Sequence, residues 1–159
     1  MSADDVLAAR AQLFGTVFII VQHLTRRADP KLADLGITTR QWLLLAVLVN
    51  AFGETSPSLS EAAEKYGSSR QNIKQIALGL EARGFVRLVA DPTDARTTRI
   101  ELTERVREFD QPPMAERTTT MLEDVFAGLT PDETRDLRDL AHRWLDGLSS
   151  GTSRDEGSA

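Results

Sequence analysis

The chain contains no cysteine. Disulfides, thiolate metal sites and cysteine-based peroxide sensing are therefore excluded for these 159 residues. Histidine is scarce too: His23 and His142 are the only two, and neither sits in a cluster with metal-ligand spacing. No glycine-rich phosphate cradle, nucleophile elbow or metalloprotease motif occurs. A non-enzyme without metal or cofactor is the expectation. Long apolar runs are also missing. The longest uncharged stretch, Ala11 to Thr25, is shorter than the roughly 18 to 20 residues of a membrane span. No basic leader with a small-residue cleavage site precedes it, so a cytoplasmic protein with no membrane partner is expected.

What is present is ordinary in bulk and uneven in distribution. Hydrophobic residues make up 41% and charged residues 27%, as in soluble globular domains, and the length suits one domain with a real core. Net charge is −5, which by itself disfavours a nucleic-acid partner. Yet Ser68 to Arg107 carries eight bases against five acids, while Glu108 to Ala159 carries five against twelve. One basic segment sits in an acidic chain, an arrangement that suppresses indiscriminate DNA binding and steepens its salt dependence.

That segment lies in the most patterned part of the sequence, Ser58 to Thr103. Ser58 and Glu61 have the spacing of a capping box, which opens a helix with Leu59, Ala62, Ala63 and Tyr66 on its apolar side. Gly67 closes it. Ser69 is the N-cap of a second helix to about Arg83, with Ile73, Ile76, Ala77 and Leu80 facing the core. Arg70, Gln71, Lys74 and Gln75 fall on the opposite side, with Asn72 near the same end. Two helices joined by a short glycine-containing turn form a helix-turn-helix, whose second helix reads the major groove. Arginine pairs bidentately with guanine there, and glutamine or asparagine with adenine. Ser68 and Ser69 are placed to meet phosphate, together with the amides of the helix N-terminus. On these residues alone a solvated polar face is an equal reading.

The next segment shifts the balance. Gly84 closes the second helix, and Phe85 to Val89 reads as a strand with Val86 and Leu88 on one face. Asp91-Pro92-Thr93-Asp94 is turn chemistry, and Thr97 to Leu102 returns as a second strand. A hairpin after a recognition helix is a wing. Arg96 lies just past its tip, where a long cation meets a narrow minor groove. Asp94 either pairs with Arg96 to stiffen the wing or orients it toward DNA, and Arg99 on the second strand is a further candidate contact.

Leu59 to Glu104 resembles the winged helix-turn-helix of the MarR family of bacterial transcription regulators. The most specific features are Asp91-Pro92-x-Asp94-x-Arg96 with Leu102-Thr103 after it; Ser69-Arg70-Gln71 and Leu80-Glu81-x-x-Gly84 add to them. The resemblance implies a homodimer on a pseudo-palindromic operator in double-stranded DNA, most often a repressor released by a small molecule or oxidant. It also implies small aromatic acids as ligands between the two lobes. Phe14, Phe18 and Trp42 are aromatic candidates for such a wall, though equally plain core, and no ligand residue is assigned. Two positions depart from the family pattern. Leu78 and Gly79 replace residues usually charged, and Arg105-Val106 stands where a glycine is common. These departures keep open an alternative, a winged helix acting as a protein-interaction or architectural module.

The flanking sequence is expected to be helical, giving a mainly α fold with a small β-hairpin wing in a single domain over residues 1–148. A first helix over 3–27 carries two apolar stripes, one through Leu7, Ala11, Phe14, Phe18 and Val21 and one through Leu13, Val17, Ile20 and Leu24. Two stripes imply packing on both sides, against its own domain and a partner subunit, or full burial within one subunit. Asp29-Pro30 is expected to break the chain. Thr39 to about Phe52 is apolar nearly all round and reads as a buried core helix. Residues 104–148 supply two more helices: a long one with a kink or short break at Pro112-Pro113, and a last one striped by Leu137, Leu140, Ala141, Trp144, Leu145 and Leu148. By the resemblance, the first and last helices form the dimer interface, with Leu7, Phe14, Phe18, Leu137, Leu140, Trp144 and Leu148 in it. Residues 149–159 are glycine, serine and charge, expected to be a disordered tail.

Overall fold

The computed structural model describes residues 2–155. It divides into two compact units, Met1–Thr39 and Arg40–Ala159. In the first helix, α1 (Ala3–Leu32), Leu32 is the only buried residue.

In the first unit, Ser2 and Asp5 form a capping box that starts α1. The helix does not break at Asp29-Pro30 as expected but runs through both to Leu32. Pro30 sits in the final turn, where the helix loses one amide and has little left to propagate. The Asp29 carboxylate accepts from Thr39 Oγ1, and its carbonyl accepts the capping amide of Ala33. A 3-10 turn, Ala33–Leu35, follows and ends at Gly36. Nearly all of both apolar stripes is solvent-exposed in the chain, Leu7 at 66% and Phe18 at 59%. Phe14 and Phe18 meet edge to face at 5.0 Å. Taken with its turn, Ala3–Leu35 is long and apolar enough by length and composition to cross a membrane, a property that the uncharged run alone did not register.

The second unit begins one residue into α2 (Thr39–Val47), which widens into a π turn over Leu48–Phe52. It is less buried than expected. Leu44, Leu45 and Leu48 are in the core, whereas Trp42, Leu43 and Val49 are exposed. Next come α3 (Leu59–Tyr66) and α4 (Arg70–Glu81), then the antiparallel hairpin of β1 (Val86–Ala90) and β2 (Thr98–Leu102). The register pairs Val86 with Leu102 and Leu88 with Ile100, so the apolar side chains share one face as expected. Ser58 makes an isolated bridge to Arg99, and the Ile100 amide donates to Pro57 at 2.9 Å, a third short edge that the sequence did not announce. Leu44, Leu48, Leu59, Ile73, Leu80, Phe85, Val86 and Ile100 form the fully buried centre.

Past the wing, Glu104–Asp110 is a 3-10 helix, and α5 (Pro112–Phe126) begins at the prolines, so of the kink or short break expected there the structure has the short break. Both prolines occupy the first turn, where an amide has no intrahelical partner to lose. Thr130 and Glu133 cap the start of α6 (Pro131–Asp155). This helix extends through residues 149–155, which corrects the expected tail. Ser149 Oγ donates to the Leu145 carbonyl, and extending an existing helix costs far less than nucleating one. The rest of the expected tail, 156–159, lies outside the described residues. Leu137, Leu140, Trp144 and Leu148 are all exposed along α6.

Candidate nucleic-acid interface

The presenting helix is fixed at both ends by local chemistry. Gly67 sits at φ 72°, a left-handed conformation that ends α3 and turns the chain at once into the next helix. Ser69 Oγ then accepts the Asn72 amide as N-cap of α4. Ile73, Ile76, Ala77 and Leu80 are buried, which anchors one side of α4 in the core. The opposite side projects Arg70, Gln71, Lys74 and Gln75, all exposed. Among the described residues, none of these four side chains has a hydrogen-bond or ion-pair partner, so all four polar heads are available to a ligand. At the other end, the Glu81 carboxylate accepts the Leu88 amide at 2.7 Å, tying α4 to β1. Gly84, at φ 76°, reverses the chain between them.

The turn residues differ from the four above. Asn72 is half-buried, and its Nδ2 donates to Ser68 Oγ at 2.8 Å. Ser68, Ser69 and Asn72 therefore brace one another around the turn. The expected free base-reading amide of Asn72 is already engaged, because its position beside buried Ile73 points it back over the turn.

The wing holds the largest correction. Arg99, expected to contact DNA, is committed to the base of the hairpin. Its Nε pairs with the Asp91 carboxylate, one guanidinium nitrogen donates to the Ser56 carbonyl at 2.8 Å, and Glu61 lies 3.8 Å away. The pairing of Val89 with Arg99 in the strand register brings it there. Asp91 is the residue that sequence reasoning undervalued as turn chemistry alone. It is buried, and it accepts from Thr93 Oγ1 at 2.6 Å, the Thr93 amide at 2.7 Å and the Asp94 amide at 3.1 Å, besides Arg99. The Thr93 hydroxyl, then the Arg99 guanidinium and the amides, hold its carboxyl well below the usual aspartate range.

A depressed carboxylate stabilises the fold above its unfolded pKa, and that contribution is lost as pH falls. The melting temperature of the protein is therefore expected to drop progressively as pH falls below about 4, and Asp91→Asn to flatten that dependence. Parallel acid profiles of the two proteins by scanning calorimetry would remove Asp91 from this role.

Asp94 does stabilise the tip, but not through an Arg96 ion pair. Its carboxylate accepts the Arg96 amide at 3.0 Å and Thr97 Oγ1 at 2.8 Å. The Arg96 side chain is exposed and, among the described residues, unpaired. The tip is thus ordered while its cation stays available. Arg87 and Glu101 pair at 3.3 Å on the outer face of the hairpin.

Residues 35–97 match the family model described as the MarR family. The match runs from the 3-10 turn to the wing tip and covers less than half of the chain. Solved structures agree on the fold. The crystal structure of MarR itself is 24% identical with a TM-score of 0.69, covering 86% of this chain and 96% of its own. Sco3205 of Streptomyces coelicolor, a MarR family transcriptional regulator in complex with DNA, is 22% identical with a TM-score of 0.69 and 93% of both chains covered. Bordetella bronchiseptica BpsR, whose DNA binding is regulated by 6-hydroxynicotinic acid, is 20% identical with a TM-score of 0.68, covering 84% of this chain and 98% of its own. No curated protein sequence matches. In that shared fold α4 takes the place of the second helix of a helix-turn-helix and β1–β2 that of its wing.

Proposed function

We propose that this chain is a DNA-binding regulator of the MarR type that acts as a homodimeric repressor of a pseudo-palindromic operator. The observation that carries the reading is the row of unpartnered polar side chains along α4, Arg70, Gln71, Lys74 and Gln75, beside an ordered wing with an exposed Arg96. The apolar residues of α1 and those of α6 support a second copy as partner, since a long exposed apolar stripe on a helix marks an interface. A partner copy also explains why a helix as apolar as α1 needs no membrane. Release by a small aromatic acid is carried by BpsR alone, and no residue of this chain is assigned to it.

Two recognition helices related by a two-fold axis reach major grooves about 34 Å apart. Selection from randomised duplexes should therefore enrich inverted half-sites spaced by about one helical turn. Enrichment of single, unrepeated sites would contradict the dimeric reading. Arg70→Ala is expected to cost about 1–3 kcal/mol on the selected site and to relax preference at one base position, as losing a bidentate guanine contact does. An unchanged ratio of selected to scrambled affinity would mean that Arg70 reads no base. Arg96→Ala should weaken binding most on sites with A·T-rich flanks, where the narrow minor groove attracts a cation. Equal losses on A·T-rich and G·C-rich flanks, measured by anisotropy, would place Arg96 on phosphate only.

A further inference from the structure

Leu78 departs from the polar row on α4 in chemistry but not in position. It lies four residues after Lys74 and three after Gln75, so it shares their helix face. It is 40% exposed, while its neighbours Ala77 and Leu80 are fully buried. Gly79 beside it is closely approached by the Gln41 side chain of α2, so the polar and core sides of this turn are already filled. Leu78 is left as the one apolar side chain on the exposed face of the recognition helix.

We propose that Leu78 is a specificity-determining residue that reads the C5-methyl group of a thymine. The inference rests on α4 entering the major groove, as proposed above. A leucine carried into the groove with Lys74 and Gln75 loses its water. Most of the groove floor offers donors and acceptors, and covering those with leucine strips their hydration without replacing it. The thymine methyl is the one apolar feature on that floor. Leu78 therefore rewards thymine and penalises the other bases at its position. From Arg70 to Leu78 the helix rises ~12 Å. At 3.4 Å per base pair, the thymine falls within about four base pairs of the position read by Arg70.

The test uses the full-length protein and unmethylated duplexes selected from a random library, so thymine is the only source of the methyl. The expected consensus has a thymine within about four base pairs of the Arg70 position in each half-site. Replacing it by uracil deletes only the methyl, and should weaken the wild-type protein about four-fold per half-site, or about fifteen-fold for both. Leu78→Ala, an exposed substitution to the best helix former, should lose the thymine preference and bind uracil and thymine duplexes equally. Uracil at every thymine of the half-site without effect on the wild type would overturn the proposal. So would equal uracil penalties for the wild type and Leu78→Ala. If the wild type enriches no duplex at all, the DNA-binding reading itself fails, an outcome distinct from both of these.

Discussion

Replacing Phe14 and Phe18 together by glutamate is expected to leave the protein monomeric and to weaken operator binding on the order of a hundred-fold or more. Both rings are exposed in the single chain, at 64% and 59%, so the fold of one protomer does not depend on them. Glutamate is also at least as good a helix former as phenylalanine, so α1 should persist. The loss arises at association. A buried phenylalanine contributes about 1.5–3 kcal/mol, and the two-fold symmetry of a homodimer would count each substitution twice. Introduced carboxylates would then have to be desolvated or left unpaired. A monomer engages one half-site at a time and forfeits the effective concentration that links the second. Sedimentation velocity and anisotropy on the same sample check both halves. A variant that remains dimeric would move the interface away from α1.

The largest effect on stability is expected from Phe85→Ala. Phe85 is fully buried at the junction of α4, the β1–β2 hairpin and the 3-10 helix Glu104–Asp110. Its ring lies 5.8 Å from that of Phe109 and carries the Arg105 guanidinium at 4.5 Å. Arg105 in turn donates to the Arg83 carbonyl and pairs with Glu108 at 3.1 Å. The Phe85 carbonyl accepts the Thr103 amide at 3.0 Å, which closes the hairpin. Truncation leaves a cavity under all of these contacts, at about 3–5 kcal/mol. The melting temperature should fall by roughly 10 °C. A fall of less than about 2 °C would show that the junction repacks around the missing ring.

The winged helix was legible because its signals are local. Ser58 with Glu61, Gly67, Ser69 and Gly84 mark boundaries through capping and left-handed turns, and each holds in the structure. The alternation along β1 and β2 was equally plain, since Val86, Leu88, Ile100 and Leu102 share a face. What was not legible depended on partners distant in sequence. Arg99 looks like any basic strand residue until the hairpin register brings it to Asp91 and the fold brings Ser56 and Glu61. Arg105 was seen only as a missing glycine, and its seat on Phe85 follows from packing. Pro30 misled for a related reason. It is tolerated near the end of a helix, whereas Pro112 and Pro113 follow a break and start one, a distinction set by position within the turn. The exposed polar row of α4 was readable from helical periodicity, whereas the engagement of Asn72 with Ser68 was not.

The most direct measurement is an anisotropy titration of the full-length protein against its selected duplex and a scrambled one, at low and moderate salt. The expected result is two protomers per selected duplex and at least a thousand-fold preference over the scramble, on the order of specific regulators. Affinity should also fall steeply with salt as phosphate-bound counterions are released. Equal affinity for both duplexes, or no binding at low salt, would contradict a sequence-specific regulator and turn attention to a winged helix that binds protein.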